Sequence, residues 1–270
     1  MHNFNEHLTQ RASYGYGYRA PLTFFESQHG NDENGYVVDI QELEKAHSAV
    51  YSLSYNTPDG YVTGGVHYTH LMNMAFGFES VGQEIMYRND NSDYDLYVFD
   101  LLTGYKPIHD WLIEVSFEKF QYPRGYKRNL PTAAIEERVQ LRSTYDSQNW
   151  SQIFQVNVIG ARNLSEYGRY DQHYRTRDNQ FGESFGTPDY ELKEQRSPVF
   201  ATVDTSVTYK QSKLINISLG VNNLFNFTQA GEGDSPNTWH WHFDHAHYDG
   251  LHTWGPNQGR LIYLQLTGEI

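Results

Sequence analysis

Lys213-Leu-Ile-Asn-Ile-Ser-Leu-Gly-Val-Asn-Asn-Leu224 alternates without a break: Ile215, Ile217, Leu219 and Val221 hold one parity, and Asn216, Ser218, Gly220 and Asn222 the other. A period of two describes a strand with one apolar and one polar face. The stretch before it, Val199 to Tyr209, sets Val199, Ala201, Val203, Val207 and Tyr209 against Thr202, Asp204, Ser206 and Thr208. Only Lys210 to Lys213 separates the two, a hairpin-length turn. After Asn223 a long polar loop leads to a last strand, in which Ile262, Leu264, Leu266 and Ile270 alternate with Tyr263, Gln265, Thr267 and Glu269. A short turn at one end, a long loop at the other and a chain that finishes on a strand predict a transmembrane barrel.

The earlier sequence repeats this pattern. Strands are predicted at Arg11 to Tyr18, Ala49 to Tyr55, Tyr61 to Met72, Tyr94 to Tyr105, Trp111 to Glu118, Val139 to Tyr145 and Trp150 to Ile159. The clearest sets Trp111, Ile113, Val115 and Phe117 against Leu112, Glu114, Ser116 and Glu118, so two carboxylates point where water must be. Thr57-Pro-Asp-Gly60, Lys106 to Asp110 and Asp146 to Asn149 read as turns. Residues 19–44, 73–92, 121–132 and 161–197 read as loops, with Ile85-Met-Tyr87 expected to extend the following strand upward. Ala133 to Arg142 is ambiguous between helix and strand. With the three C-terminal strands this makes about ten, joined alternately by short and long connections. The fold class is therefore all-β, an antiparallel up-and-down transmembrane β-barrel segment with long external loops and short periplasmic turns.

Composition agrees. The 22 Tyr and 15 Phe suit strands and the aromatic girdles of a barrel, although a soluble all-β protein could carry them too. The absence of Cys excludes disulfides and thiolate metal sites. A mean hydropathy of -0.70 and the lack of any apolar run near ~20 residues exclude a transmembrane helix but not a barrel, whose alternation dilutes hydropathy. A net charge of -13 leaves no nucleic-acid footprint, and acidic loops favour cations. Met1-His-Asn-Phe-Asn-Glu6 has neither the basic start nor the apolar core of a signal peptide, so a mature form or a piece of something longer is expected.

Several strings carry a family resemblance. Gly17-Tyr-Arg-Ala-Pro-Leu22, Arg196-Ser-Pro-Val-Phe-Ala-Thr-Val-Asp204, Leu219-Gly-Val-Asn-Asn-Leu-Phe225 and Gly255-Pro-Asn-Gln-Gly-Arg260 occur in that order. Together they resemble the C-terminal part of the barrel of TonB-dependent outer-membrane receptors. The resemblance implies a bacterial cell outer-membrane location, bound lipid, a non-enzymatic transport role and coupling to the TonB complex through an N-terminal plug region. Nothing here matches that plug, and about ten strands are fewer than half of the family's roughly twenty-two. Residues 1–270 are thus expected to be a partial receptor barrel, C-terminal part, plug domain absent. The family's barrels usually end on an aromatic residue, and this chain ends on Ile270.

Substrate chemistry is concentrated between Trp239 and Trp254. His240, His242, His245, His247 and His252, with Asp244 and Asp249, crowd thirteen residues in which an even spread of the chain's 13 His would put about one. Neutral imidazole suits Zn, Cu and Ni, and a carboxylate can complete the shell. In an extended chain His240 and His242 share a face, as do His245 and His247. These seven residues are the candidate metal ligands, with His29, Asp32 and Glu33 as possible additions from another loop. No cofactor is required; Zn or Cu, free or chelated, is the expected substrate. A ferric siderophore or other organic chelate is the alternative, for which these His would be polar filler in a surface loop or hydrogen-bond to the ligand without binding metal. A non-transporting barrel fragment or passive pore is a third reading. His240-Trp-His-Phe-Asp-His245 also matches the H-x-H-x-D-H string of metallo-β-lactamase-like hydrolases, which would need an αβ/βα sandwich and further downstream ligands. Glu114, Glu118, Arg138 and Arg142 could be paired catalytic charges, but lumen-facing charges are usual in a barrel wall.

Overall fold

A computed structural model describes residues 1–20, 36–79, 85–130, 132–167, 196–211, 215–229, 239–242, 245–248 and 254–268. One antiparallel sheet dominates. Its members are β1 (His2–Asn3), β2 (Leu8–Arg19), β4 (Glu44–Thr57), β5 (Gly60–Met72), β8 (Tyr94–Ile108), β9 (Trp111–Gln121), β10 (Glu137–Asp146), β11 (Trp150–Ile159), β12 (Phe200–Lys210), β13 (Ile215–Asn222) and β16 (Leu261–Gly268). Neighbours in sequence are neighbours in space throughout, the meander of an up-and-down wall. Ten of these are the strands expected from alternation, and the two-residue β1 is an addition. The ambiguous window resolves into β10.

The register explains why these strands accept one another. One row across seven strands reads Leu53, Gly64, Leu101, Phe117, Val139, Val158 and Ala201. The adjacent row reads Ser54, Thr63, Leu102, Ser116, Gln140, Asn157 and Thr202, nearly all polar. A slip of one residue in any strand would exchange its two sets, so each pairing is strongly specified. The apolar face is left uncovered. Leu101 is 48% exposed, Leu219 56% and Leu264 69%, while few apolar side chains among the described residues are buried. In water this arrangement would forfeit most of its hydrophobic stabilisation; against hydrocarbon it is the stable one.

Aromatic side chains of outward parity border the apolar band. Tyr55, Tyr105, Trp111, Tyr145, Trp150 and Tyr209 lie beside the short turns, with Trp150 and Tyr209 at 4.8 Å between ring centroids. Tyr16, Tyr18, Tyr68 and Tyr97 lie toward the long loops, and Tyr68 and Tyr97 are 5.2 Å apart. Tyr97 and Tyr105, both on β8, are separated by eight positions. At about 3.4 Å per residue and a tilt of about 40–45°, that is about 20 Å along the membrane normal, comparable with the roughly 25 Å apolar band of outer-membrane barrels.

The connections depart from expectation in three places. Ile85-Met-Tyr87 does not extend β8. It belongs to β7 (Ile85–Asn89), which pairs in parallel with β3 (Tyr36–Asp39) and antiparallel with β6 (Ala75–Glu79) in a separate three-stranded sheet. The chain leaves β8's line because Asp90 donates its N–H to the Met74 carbonyl (2.7 Å) and the Asn89 side chain donates to the carbonyls of Asn73 (2.7 Å) and Glu42 (3.0 Å). The region after Asn223, expected as loop alone, contains the ribbon β14 (Trp239–His242) and β15 (His245–Tyr248). A four-residue helix, α1 (Arg124–Lys127), follows Pro123.

Candidate functional site

Side chains on the polar face of the wall pair across neighbouring strands. On β5 and β8, His67 Nε2 meets Asp100 Oδ1 at 2.7 Å. On β9, Glu114 accepts from the Tyr61 hydroxyl and Glu118 from the Arg138 guanidinium. Gln140 donates to Asn157 at 2.8 Å. Glycines make room for this layer: a Cβ at Gly104 would strike the Tyr61 ring, and one at Gly220 the Tyr263 ring.

At the loop end the strings around Asn223 and Gly255 lock into each other. Asn223 takes the left-handed conformation (φ 51°), which Asn tolerates better than most residues. Its amide N–H donates to Asp204 (2.8 Å), its side chain donates to the Phe227 carbonyl (2.6 Å), and its Oδ1 accepts from the Phe227 N–H (3.0 Å). Asn226, also left-handed, accepts from the Arg260 N–H at 2.8 Å. The fully buried Gln229 accepts from the N–H groups of Trp254 (2.8 Å) and Gly255 (2.9 Å). Arg162, 2% exposed, donates to the carbonyls of Ala133 (2.7 Å) and Trp254. Phe200, Phe227 and Trp254 fill the space beneath, with Phe200 and Phe227 stacked at 5.1 Å.

A second knot ties two other loops. Lys127 Nζ lies 2.7 Å from both Glu136 and Glu166, and the Tyr167 hydroxyl donates to Glu136 at 3.0 Å. Burial by itself would lower the Lys127 pKa, but the hydrogen bonds that Lys127 donates to Glu136 and Glu166 outweigh it and the net shift is upward. The bond from Lys127 lowers the Glu166 carboxyl, and burial raises the Tyr167 phenol. Nearby, a cleft of about 380 Å³ opens between Arg19, Glu44, Leu71, Met74 and Tyr126. Burial raises the Tyr126 phenol, and Arg19 is bonded to Glu44.

The metal ligands expected from sequence fall into two groups. The backbone of β14 and β15 sets His240 opposite His247 and His242 opposite His245, with Trp239 opposite Tyr248 and Trp241 opposite Ala246. All four His positions therefore share one side of the ribbon. Asp244, Asp249 and His252 lie outside the described residues, as do His29, Asp32 and Glu33. Among the described residues, no three His, Asp or Glu side chains gather closely enough to hold a metal ion.

The family model for the TonB-dependent receptor-like β-barrel matches residues 1–224. The chain belongs to the TonB-dependent receptor β-barrel family. The structure of a copper transporter, OprC, is 17% identical with a TM-score of 0.62, covering 99% of this chain and 38% of its own. A variant of the ferric enterobactin receptor PfeA from Pseudomonas aeruginosa is 12% identical with a TM-score of 0.63, covering 99% and 39%. The siderophore receptor PirA from Acinetobacter baumannii is 15% identical with a TM-score of 0.59, covering 98% and 39%. At these identities the likeness is one of fold, and the chain spans about two fifths of the length of those receptors. No curated protein matches by sequence.

In this receptor wall, the strings around Asn223 and Gly255 that carry the family resemblance form part of the rim. Asn223, Asn226 and Gly259 shape a turn; a Cβ at Gly259 would collide with the Asn226 side chain. Lys127 and Arg162 escaped the sequence reading because neither stands in a periodic segment, and most of their partners come from other loops, up to 92 positions away. The string that matches metallo-β-lactamase-like hydrolases falls across a two-stranded ribbon, and the described residues form no αβ/βα sandwich.

Proposed function

We propose that this chain is a length of wall from an outer-membrane TonB-dependent receptor whose substrate is a transition metal, Zn or Cu, free or chelated. The wall faces lipid with its apolar rows, and the TonB complex acts through a plug region. The role is transport without catalysis and needs no resident cofactor. The observation that carries the substrate reading is the ribbon register, which brings four His positions to one side of a loop hairpin. Imidazole donors in an acidic, Cys-free chain suit borderline divalent ions. Binding requires unprotonated imidazole, so affinity should fall as pH drops through about 6.5. Calorimetric titration of Zn and Cu(II) into the refolded chain, beside a variant carrying His242→Ala and His245→Ala, tests this. Uptake at neutral pH that the double variant loses supports the reading; identical titrations sink it.

A second reading, uptake of a ferric siderophore or other organic chelate, is favoured by the cleft at Arg19 and Tyr126, where a cation and aromatic surface adjoin. It expects a chelate to bind the double His variant as well as the parent chain.

A further inference from the structure

We propose that Tyr16, Tyr18, Lys45 and His47 form a site for the phosphate of a lipid headgroup on the lipid-facing side of the wall. The proposal rests on the membrane-wall reading and is independent of the metal. Followed toward the long loops, the outward parity reaches a girdle row in which Tyr68 faces Tyr97. The next outward row is Tyr16, His47, His70 and Asp95, and the one beyond it Tyr18, Lys45 and Met72. Each step of two residues is about 6.8 Å along a strand, or about 5 Å along the membrane normal at a tilt of about 40–45°. The eight positions from Tyr97 to Tyr105 span about 20 Å, so the girdle row sits just inside the edge of a band about 25 Å tall. The two polar rows then fall about 2.5 and 7.5 Å outside that band, within a headgroup layer about 5–8 Å thick.

Tyr18 stands directly opposite Lys45 and Tyr16 directly opposite His47, on β2 and β4. Directly opposite Cβ atoms are about 5 Å apart and positions two along a strand about 7 Å, so the four long side chains can converge on one group. What they offer is donors. Lys45 has only a 3.9 Å approach to Glu42, a carboxylate that the Asn73 side chain holds at 2.6 Å. The His47 ring packs on Tyr16 at 4.7 Å, and its Nδ1 is bonded to the Tyr14 hydroxyl. In the tautomer in which Tyr14 donates, the ring proton is on Nε2 and points to no partner among the described residues. The hydroxyls of Tyr16 and Tyr18 have no partner among them either, and both side chains are exposed. Neighbouring carboxylates are engaged elsewhere: Asp95 accepts from Tyr68 (2.6 Å) and lies 2.9 Å from His70 Nδ1, and Glu137 is bonded to Lys119 at 2.8 Å. An ammonium, an imidazole N–H and two phenols at headgroup depth match the oxygens of a phosphate, and charge-assisted bonds to it are stronger than neutral ones. Because this face continues the one that meets hydrocarbon, the phosphate that reaches it is one carried by a lipid.

Native mass spectrometry of the whole refolded chain, released from micelles that contain phosphatidic acid or diacylglycerol with the same acyl chains, tests this. The unaltered chain should retain phosphatidic acid about tenfold better than diacylglycerol, a comparison that requires no variant to fold. Lys45→Gln with His47→Gln should abolish the preference, and Tyr18→Phe should reduce it about threefold. Lys119→Gln, on the same rim but at a residue paired with Glu137, should leave it unchanged. Equal retention of the two lipids, or a full preference in the double variant, would overturn the site. Displacement of the lipid by an equimolar amount of inorganic phosphate would overturn its assignment to a headgroup. Each of these results leaves the membrane wall standing, since that reading fails on a different observation, a monodisperse monomer without detergent.

Discussion

Leu141→Arg and Gln140→Arg place the same charge on adjacent residues of β10, on opposite faces of the wall. Leu141 has Val115 opposite it on β9 and Val156 on β11, in the middle of the outward apolar rows. It stands four positions above Tyr145 of the turn-side girdle. At about 3.4 Å per residue and a tilt of about 45°, that is about 10 Å, close to the middle of a band about 25 Å tall. A cation there destabilises an outer-membrane barrel by about 2–4 kcal/mol. Gln140 shares the inner row with Ser116 and Asn157, and its replacement loses one hydrogen bond to Asn157, worth about 0.5–1.5 kcal/mol. The two variants should thus differ by about 1–3 kcal/mol, up to about a hundredfold in the unfolding equilibrium. Urea unfolding in lipid vesicles, followed by tryptophan fluorescence, measures both. If Gln140→Arg proves as destabilising as Leu141→Arg, the assignment of faces is refuted.

Four further outcomes follow from the same geometry. Lys127→Met leaves Glu136 and Glu166 without their shared cation and should destabilise the loop knot by about 1–3 kcal/mol, a discounted figure because both carboxylates are partly solvated; hydrogen exchange at 124–130 and 164–167 should accelerate while the strands stay protected. Because the Glu166 pKa is depressed in the folded chain, its contribution is present above the ordinary carboxyl value near about 4.3 and is lost as pH falls through the lower folded value, so the same amides should open in acid before the wall does. Asn223→Ala removes a left-handed Asn and its bonds to Phe227, and should cost about 1–3 kcal/mol; Asn223→Gly, which keeps the conformation but not the bonds, should recover part of it in the same unfolding assay. The sheet presents strand edges at β16 and along most of β2, so in detergent-free buffer the chain by itself should aggregate or require partner strands, and a monodisperse monomer there would contradict the membrane wall.

For the ten long strands of the wall, existence, order and lipid-facing parity were determined by sequence alone, because a period of two is a local property and neighbouring strands here are also neighbours in the chain. Ile215, Ile217, Leu219 and Val221 face outward for the same reason that Asn216 and Ser218 cannot. The His cluster was equally legible as composition. Its arrangement was not: only pairing between β14 and β15 decides that His240 faces His247 and His242 faces His245, since register depends on a turn rather than on the alternation of either strand. The placement of Ile85 to Asn89 in a separate sheet likewise required the Asn89 and Asp90 bonds to distant carbonyls. The rim knots at Arg162 and Lys127 were decided wholly by tertiary contact. A lone cation in a loop carries no periodic signature, and what keeps it buried is a set of acceptors that the chain brings from other loops.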